Sequence, residues 1–167
     1  MSDVIARYEE ALALAKRLGD RKRELAVRNA LGIVHWQRGA YSDAVRQYET
    51  ALRLCRETSD RVHEGLVLNC LGATLQRQRR WDEARTILSE AVRVSTETGE
   101  RQLCAHALAM LGDVCLASGR LDEALLDFEA SLGLRRELED REGERAMLDR
   151  IARVSVARAA GTPTIQP

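Results

Sequence analysis

The histidine and acidic side chains are the groups in this chain that could perform acid–base chemistry. The three histidines are His35, His63 and His106. Helical spacing assembles one constellation around them, in which His106 shares a face with Met110 and Asp113. The sequence places no nucleophile beside this set and contains no glycine-rich phosphate-binding motif. We therefore expect a protein that is not an enzyme.

The four cysteines are the other candidates for chemistry, as metal ligands or disulfides. Cys55, Cys70, Cys104 and Cys115 form no CxxC pair, so neither a zinc site nor a redox motif is indicated. The chain carries no secretory pattern that would favour a disulfide framework. We expect four buried free thiols, no metal and no cofactor.

Charge and hydropathy narrow the classes of partner. The 26 basic and 26 acidic residues cancel, so the positive excess typical of nucleic-acid or membrane-surface binding is missing from the whole chain. No stretch approaches the roughly 18 consecutive apolar residues of a membrane span. We expect a cytoplasmic protein without direct nucleic-acid or membrane binding. Only Lys16 and Lys22 are lysines, an arginine bias that hints at a GC-rich bacterial genome.

The secondary-structure elements that must position these side chains are encoded by a sequence pattern that repeats along the chain. Leu31-Gly32 recurs at one constant interval, as Leu71-Gly72 and again as Leu111-Gly112. At fixed offsets these pairs are followed by Ala44, Tyr48, Ala51 and Leu52, by Ala84, Leu88, Ala91 and Val92, and by Ala124, Phe128, Ser131 and Leu132. Such a fixed period indicates a solenoid, in which each unit packs on its neighbours.

Each unit is predicted to be a pair of helices. Apolar residues recur at spacings of three and four, and Gly39 permits a left-handed turn that ends the first helix. The expected N-cap residues, in chain order, are Asp20, Ser42, Asp60, Asp82, Glu100 and Asp122, with glutamate the poorest cap.

We predict a single domain over residues 1–160. It consists of a half repeat at 1–20, full repeats at 21–60, 61–100 and 101–140, and a capping helix at 141–160. Residues 161–167, with two prolines and no periodicity, are predicted to be a disordered tail. The half repeat leaves an apolar helix face without a partner helix. That face indicates either a longer parent protein or contact with another chain.

The pattern resembles the tetratricopeptide repeat. Its Leu-Gly pair, turn glycine, alternating aromatic and alanine positions and Ala-Leu pair are, in the first unit, Leu31, Gly32, Gly39, Tyr41, Ala44, Tyr48, Ala51 and Leu52. Arg79 replaces the turn glycine in the second unit. The resemblance implies an all-α fold, a right-handed α-solenoid of antiparallel helix pairs with about eight helices.

The length of the unit suggests a subgroup. The commoner tetratricopeptide unit has roughly 34 residues, and longer units such as those of this chain are similar to interaction scaffolds of the Pins and kinesin-light-chain type. The arginine-rich composition and the phrase RLDEALLDFEASLGLRRELED look most like the C-terminal repeats of actinobacterial antibiotic regulatory proteins of the AfsR kind (SARP) and of STAND-type ATPase regulators. This second resemblance implies the sensor or scaffold part of a larger bacterial transcriptional regulator.

In the tetratricopeptide family, the first helices of successive units line a concave groove that binds an extended segment of a partner. The resemblance carries this groove onto Asn29, Ile33, Trp36, Gln37, Asn69, Gln76, Arg77, His106, Asp113, Asp149, Arg150 and Arg153. Asn29 and Asn69 are expected to bind peptide backbone, because an amide offers both a donor and an acceptor. Trp36 is either the main anchor of the groove or a ring packed against the N-terminal helix and Tyr8.

Together these features imply a non-catalytic module that binds a protein or peptide ligand. One alternative is a homo-oligomerisation module, a possible homodimer formed through the unpaired N-terminal helix or the capping helix. Another is a receptor for a small signalling peptide.

Overall fold

The computed structural model describes residues 2–161, with side chains from Val4 onward. This part of the chain contains eight α-helices and no strand. They are α1 (Ser2–Arg17), α2 (Arg21–Gln37), α3 (Tyr41–Glu57), α4 (Arg61–Arg77), α5 (Trp81–Thr98), α6 (Arg101–Ala117), α7 (Leu121–Glu137) and α8 (Arg141–Gly161). The predicted all-α solenoid of helix pairs is confirmed. Gly161 ends α8, and the other residues of the predicted tail, 162–167, lie outside the described residues.

The helices form a row of hairpins in which each helix packs on the next. Helices α2, α4 and α6 are the first helices of the three full units, and α3, α5 and α7 are the second helices. The first helices also touch one another directly, α2 with α4 and α4 with α6. The second helices reach one another through long side chains, as in the ion pair between Arg56 and Glu90. The row of first helices therefore forms the inner side of the solenoid.

Each Leu-Gly pair marks the closest approach of two helices within a unit. A Cβ atom added at Gly112 would lie 2.6 Å from Cε1 of Phe128, whose side chain is fully buried. At Gly32 the atom would lie 2.7 Å from Cζ of Tyr48. Since real Cβ atoms do not approach carbon this closely, only glycine lets the large residue of the second helix reach the first helix.

The turns between helices share one backbone conformation. A residue with positive φ closes each of the seven turns, at Gly19, Gly39, Ser59, Arg79, Gly99, Gly119 and Glu139. The predicted left-handed turn at Gly39 is confirmed, with φ 74°. Arg79 adopts φ 59° in the equivalent turn, although a side chain is disfavoured there.

Two of the three predicted caps of the first helices are confirmed. Glu100 lies at the N-cap of α6 but makes no side-chain cap bond, and the second helices are not capped as predicted. Asp20 accepts a hydrogen bond from the backbone N–H of Arg23 at 2.9 Å, and Asp60 accepts one from His63 at 3.2 Å. The N-cap of α3 is Ala40, not Ser42, and it makes no side-chain cap bond.

The cap predictions for Ser42, Asp82 and Asp122 were therefore wrong. The backbone N–H of Ala40 bonds back to the carbonyl of His35 at 2.9 Å. Because this bond closes the turn so tightly, the next helix starts immediately and Ser42 already lies in its first turn. The N-caps of α5 and α7 are the equivalent Arg80 and Arg120.

Charged side chains join successive units. Glu64 is 1% exposed and pairs with Arg56 of the preceding helix at 2.9 Å and with Arg61 of its own helix. The equivalent pair between α7 and α8 joins Arg136 and Glu144 at 2.8 Å. Burial of the Glu64 carboxylate is tolerated because two guanidinium groups meet it, whereas Glu144 is only half-buried.

The middle junction of the solenoid lacks this ion pair. Thr96 and Cys104 occupy the matching positions, with Oγ1 and Sγ 3.5 Å apart.

None of the helices in residues 2–161 combines the length and apolar character that a membrane crossing needs.

Candidate protein-binding groove

The residues that the sequence assigned to a groove lie on α2, α4, α6 and α8. Trp36 of α2 is half-buried, and the guanidinium carbon of Arg77 lies 5.5 Å from the centroid of its ring. This distance is that of a cation–π contact between neighbouring first helices. Ile33 is 40% exposed one turn before Trp36. Together, Ile33, Trp36 and Arg77 form an apolar patch with a positive edge, which we call the Trp36 patch.

The indole nitrogen of Trp36 has no hydrogen-bond partner although the atom itself is buried. A buried donor without an acceptor costs free energy. The ring therefore points its polar edge inward and shares its face with Arg77.

The two asparagines that were predicted to bind peptide backbone lie in different environments. Asn69 is 4% exposed, and its Nδ2 donates to the backbone carbonyl of Leu103 at 3.1 Å, which joins α4 to α6. Asn29 is half-buried, and its Oδ1 is a buried acceptor without a partner. Asn69 is thus used within the solenoid, and we leave it out of the proposed binding surface.

Further along the groove the surface becomes charged. Nε of Arg150 in α8 donates to Asp113 in α6, at 3.0 Å to Oδ1 and 3.3 Å to Oδ2. His106, which lies in α6 like Asp113, is exposed. Partial desolvation and the nearby Arg135 and Arg150 lower the pKa of His106 below its usual range, which favours a neutral imidazole at neutral pH.

The remaining predicted groove residues are available at the surface to different degrees. Gln37, Asp149 and Arg153 are exposed, while Gln76 is half-buried. Asp149 and Arg153 share one helix, one turn apart. The apolar side chains of the predicted groove, Ile33 and Trp36, therefore lie on α2, whereas α4, α6 and α8 contribute polar and charged ones.

Two features of this surface were missed from the sequence. The contact of Arg77 with Trp36 was one, although the repeat register could have revealed it by showing that these positions of adjacent units are neighbours. The second is a cavity of about 360 Å³ beside His106, lined by Gln102, Leu103, Ala105, His106, Arg135, Leu138 and Asp140. Part of its wall comes from Arg135 of α7 and from Leu138 and Asp140 after it, which are not among the predicted groove residues.

The cysteines and the possible metal ligands were the other candidates for chemistry. Within residues 4–161 no three histidine, cysteine, aspartate or glutamate side chains are grouped so that they could hold a metal ion. Cys55, Cys104 and Cys115 are buried free thiols, and Cys70 is a half-buried one. Burial raises the pKa of Cys55 to about 12 and of Cys115 to about 11, so these thiols are poor nucleophiles.

Comparison with known proteins agrees with this fold. The tetratricopeptide repeat family model matches residues 5–57 and 64–137. No curated protein matches the chain significantly.

Among solved structures, apo RapI is similar with a TM-score of 0.85 and 14% identity, over 93% of this chain and 44% of RapI. A putative kinesin light chain from Podospora anserina with nearly identical repeats has a TM-score of 0.80 and 17% identity, over 96% of this chain and 79% of the kinesin light chain structure. The N-terminal domain of stress-induced protein-1 from C. elegans has a TM-score of 0.65 and 20% identity, over 78% of this chain and 97% of that domain. At such low identity these likenesses concern the fold.

The family match covers most of the chain, and the close-approach glycines of the three full units have their predicted structural role. The chain belongs to the tetratricopeptide repeat family.

Proposed function

We propose that this chain is a non-catalytic binding module that holds a segment of a partner protein along the inner surface of its first helices. The observation that supports this most directly is the Trp36 patch. An aromatic ring beside an exposed isoleucine, with an arginine at its edge, has the composition of an interface hot spot.

The change of polarity along the groove gives the proposed partner a direction. An apolar side chain of the partner would lie on Ile33 and Trp36, where it would displace water from both. A carboxylate of the partner would meet Arg77, which is exposed. The segment would then continue toward Asp149 and Arg153, where polar side chains suit the mixed charges.

In the finer form of this proposal, the chain is the sensor or scaffold part of a larger bacterial transcriptional regulator, acting in the cytoplasm. The long repeat unit and the arginine-rich sequence support this context. Reporter expression with and without the groove variant Ile33→Asp in the parent regulator tests it, and unchanged regulation would contradict it.

A displayed library of random peptides, selected on the 167-residue chain, tests the groove. Trp81→Phe leaves Trp36 as the single tryptophan, so its fluorescence reports on the groove. We expect selected peptides to shift Trp36 emission and to combine an apolar residue with a carboxylate. Ile33→Asp and Arg77→Glu should each weaken binding at least about tenfold.

Leu126→Asp is the matched control, because Leu126 is 66% exposed on α7, a second helix. It should leave peptide binding unchanged. Peptides that bind Ile33→Asp as tightly as the wild type, or that leave Trp36 emission unchanged, would show that the binding surface lies elsewhere.

A further inference from the structure

The two ends of the solenoid expose complementary halves of one repeat. Helix α1 occupies the position of a second helix, and α8 occupies that of a first helix. Leu31, Leu71 and Leu111 are separated by one constant interval, the length of a repeat. When the same interval is continued past the third repeat, residue 1 of a second copy takes the position that follows residue 160 of the first copy. Helix α8 of one copy and α1 of another would together make one further unit.

The exposed side chains at these ends lie where the internal units bury theirs. Val4 of α1 is 43% exposed, whereas its equivalents Ala44, Ala84 and Ala124 are fully buried against their first helices. Leu148 of α8 is 46% exposed, whereas its equivalents Leu68 and Leu108 are fully buried and half-buried. In the first unit this position is Arg28. Apolar side chains left bare on both ends favour contact between the ends.

Charges at the two ends are arranged for the same contact. Arg56 and Glu90 join the second helices of successive units at 2.9 Å. In the composite unit the equivalent residues are Arg136 of one copy and Glu10 of the other, which have opposite charges.

A second complementary pair lies between first helices. Asn69 bonds to the backbone of Leu103 across α4 and α6. The equivalent neighbours between copies are Asp149 and Arg23, and the side chain of Arg23 is 60% exposed.

We propose that α8 of one copy binds α1 of a second copy head to tail, with Leu148 and Ala152 against Val4 and Tyr8, and so completes a composite repeat. Such a contact uses different surfaces on the two partners. It therefore propagates into chains of copies instead of stopping at a symmetric dimer.

Three positions make this junction weaker than an internal one. Ala152 stands where the internal units have the close-approach glycine, and Val4 stands where they have alanine. Arg17 of one copy would face Arg141 of the other, and both are positively charged. The equivalent internal residues, Arg101 and Glu137, have opposite charges and form an ion pair at 2.8 Å. The association is accordingly reversible and dependent on concentration.

Sedimentation equilibrium of the full chain tests the contact, at concentrations up to about 1 mM, where weak association shows. The average mass of the wild type should rise with concentration past that of two copies. Val4→Glu blocks one end and Leu148→Glu the other, so each variant alone should stay monomeric.

Mixing these two variants leaves one intact end on each, so an equimolar mixture should form a one-to-one dimer and nothing larger. Leu126→Glu, outside both ends, should associate like the wild type. A monomeric wild type, self-association of either blocked variant, or a monomeric mixture would overturn the proposal.

Strengthening variants provide a test that does not depend on disrupting the protein. Ala152→Gly, Val4→Ala and Arg17→Glu each restore the residue type of an internal unit. We expect each to lower the dissociation constant several-fold, with circular dichroism confirming that the variants remain folded. Weaker association of all three would overturn the composite-repeat geometry.

Discussion

Asp127 shows how a single side chain can make stability depend on pH. Desolvation raises the pKa of this carboxyl from 3.8 to about 6, against a hydrogen bond from Sγ of Cys115. The folded protein therefore holds this proton more tightly than the unfolded chain does. Between about pH 4 and 6 the contribution of Asp127 to stability falls as pH rises, and at neutral pH the ionised group is destabilising.

Asp127→Asn should remove this penalty, because the amide is neutral and still offers an oxygen to Cys115. We expect the free energy of unfolding at pH 7 to rise by on the order of 1 kcal/mol. Urea unfolding at pH 4 and pH 7 measures it, and the gain should shrink at the lower pH. An equal effect at both values would contradict the assigned cause.

The close-approach glycines are the other residue-scale test. At Gly112 an alanine would place its Cβ against the ring of Phe128, so Gly112→Ala should cost about 1 to 3 kcal/mol through overpacking. The matched control is Gly133→Ala on the exposed face of α7, where the added atom meets nothing within 4 Å. Chemical unfolding of both variants gives the comparison. A more stable Gly112→Ala protein would contradict the packing argument.

At the scale of the helices and turns, Arg79 occupies a turn position that glycine occupies in four of the other six turns. Its left-handed backbone costs energy for a residue with a Cβ atom, whereas Gly39 takes the same conformation freely. Arg79→Gly should therefore raise the midpoint of thermal unfolding, by roughly 0.5 to 1 kcal/mol of stability. Arg38→Gly, in the right-handed C-cap position of α2, is the control and should lower it.

The side-chain caps of α2 and α4 have no counterpart on the second helices α3, α5 and α7. Asp60→Ala removes the side-chain cap of α4 and should cost about 1 kcal/mol. Asp82→Ala changes a residue inside α5 that caps nothing, so only the smaller helix-dipole contribution is lost. Chemical unfolding of the two variants distinguishes them, and equal losses would contradict the observed helix start.

The helices and their register could be predicted because one pattern recurs three times. Leu31-Gly32 and Gly39 fix where helices meet and where they turn, and both are local properties of the chain. The start of α3 at Tyr41 and the loss of Ser42 as a cap depend on how tightly the preceding turn closes.

The candidate groove could be predicted only in outline. The repeat register places Arg77 next to Trp36, but the ring contact itself, like the bond from Asn69 to Leu103, depends on the spacing of adjacent units. A single-unit pattern does not contain this spacing.

On the scale of the whole molecule, a solenoid is expected to unfold from its ends. Met147 is 1% exposed in α8, and Met147→Ala should remove packing worth about 2 to 4 kcal/mol. Because units interact with their neighbours, hydrogen exchange should accelerate most in α7 and α8 and least in α2 to α4. A uniform acceleration along the chain would show that the units unfold as one cooperative block.

The seven turns with positive φ have a further consequence for the history of the gene. They recur at one constant interval from Gly19 to Glu139. Each helical hairpin therefore contains, within its own sequence, the residue that forms its turn. Duplication or deletion of one whole unit would keep every turn and every close approach in phase. Proteins of this kind can therefore change length by whole units in a single recombination event, and gain or lose binding surface without solving a new folding problem.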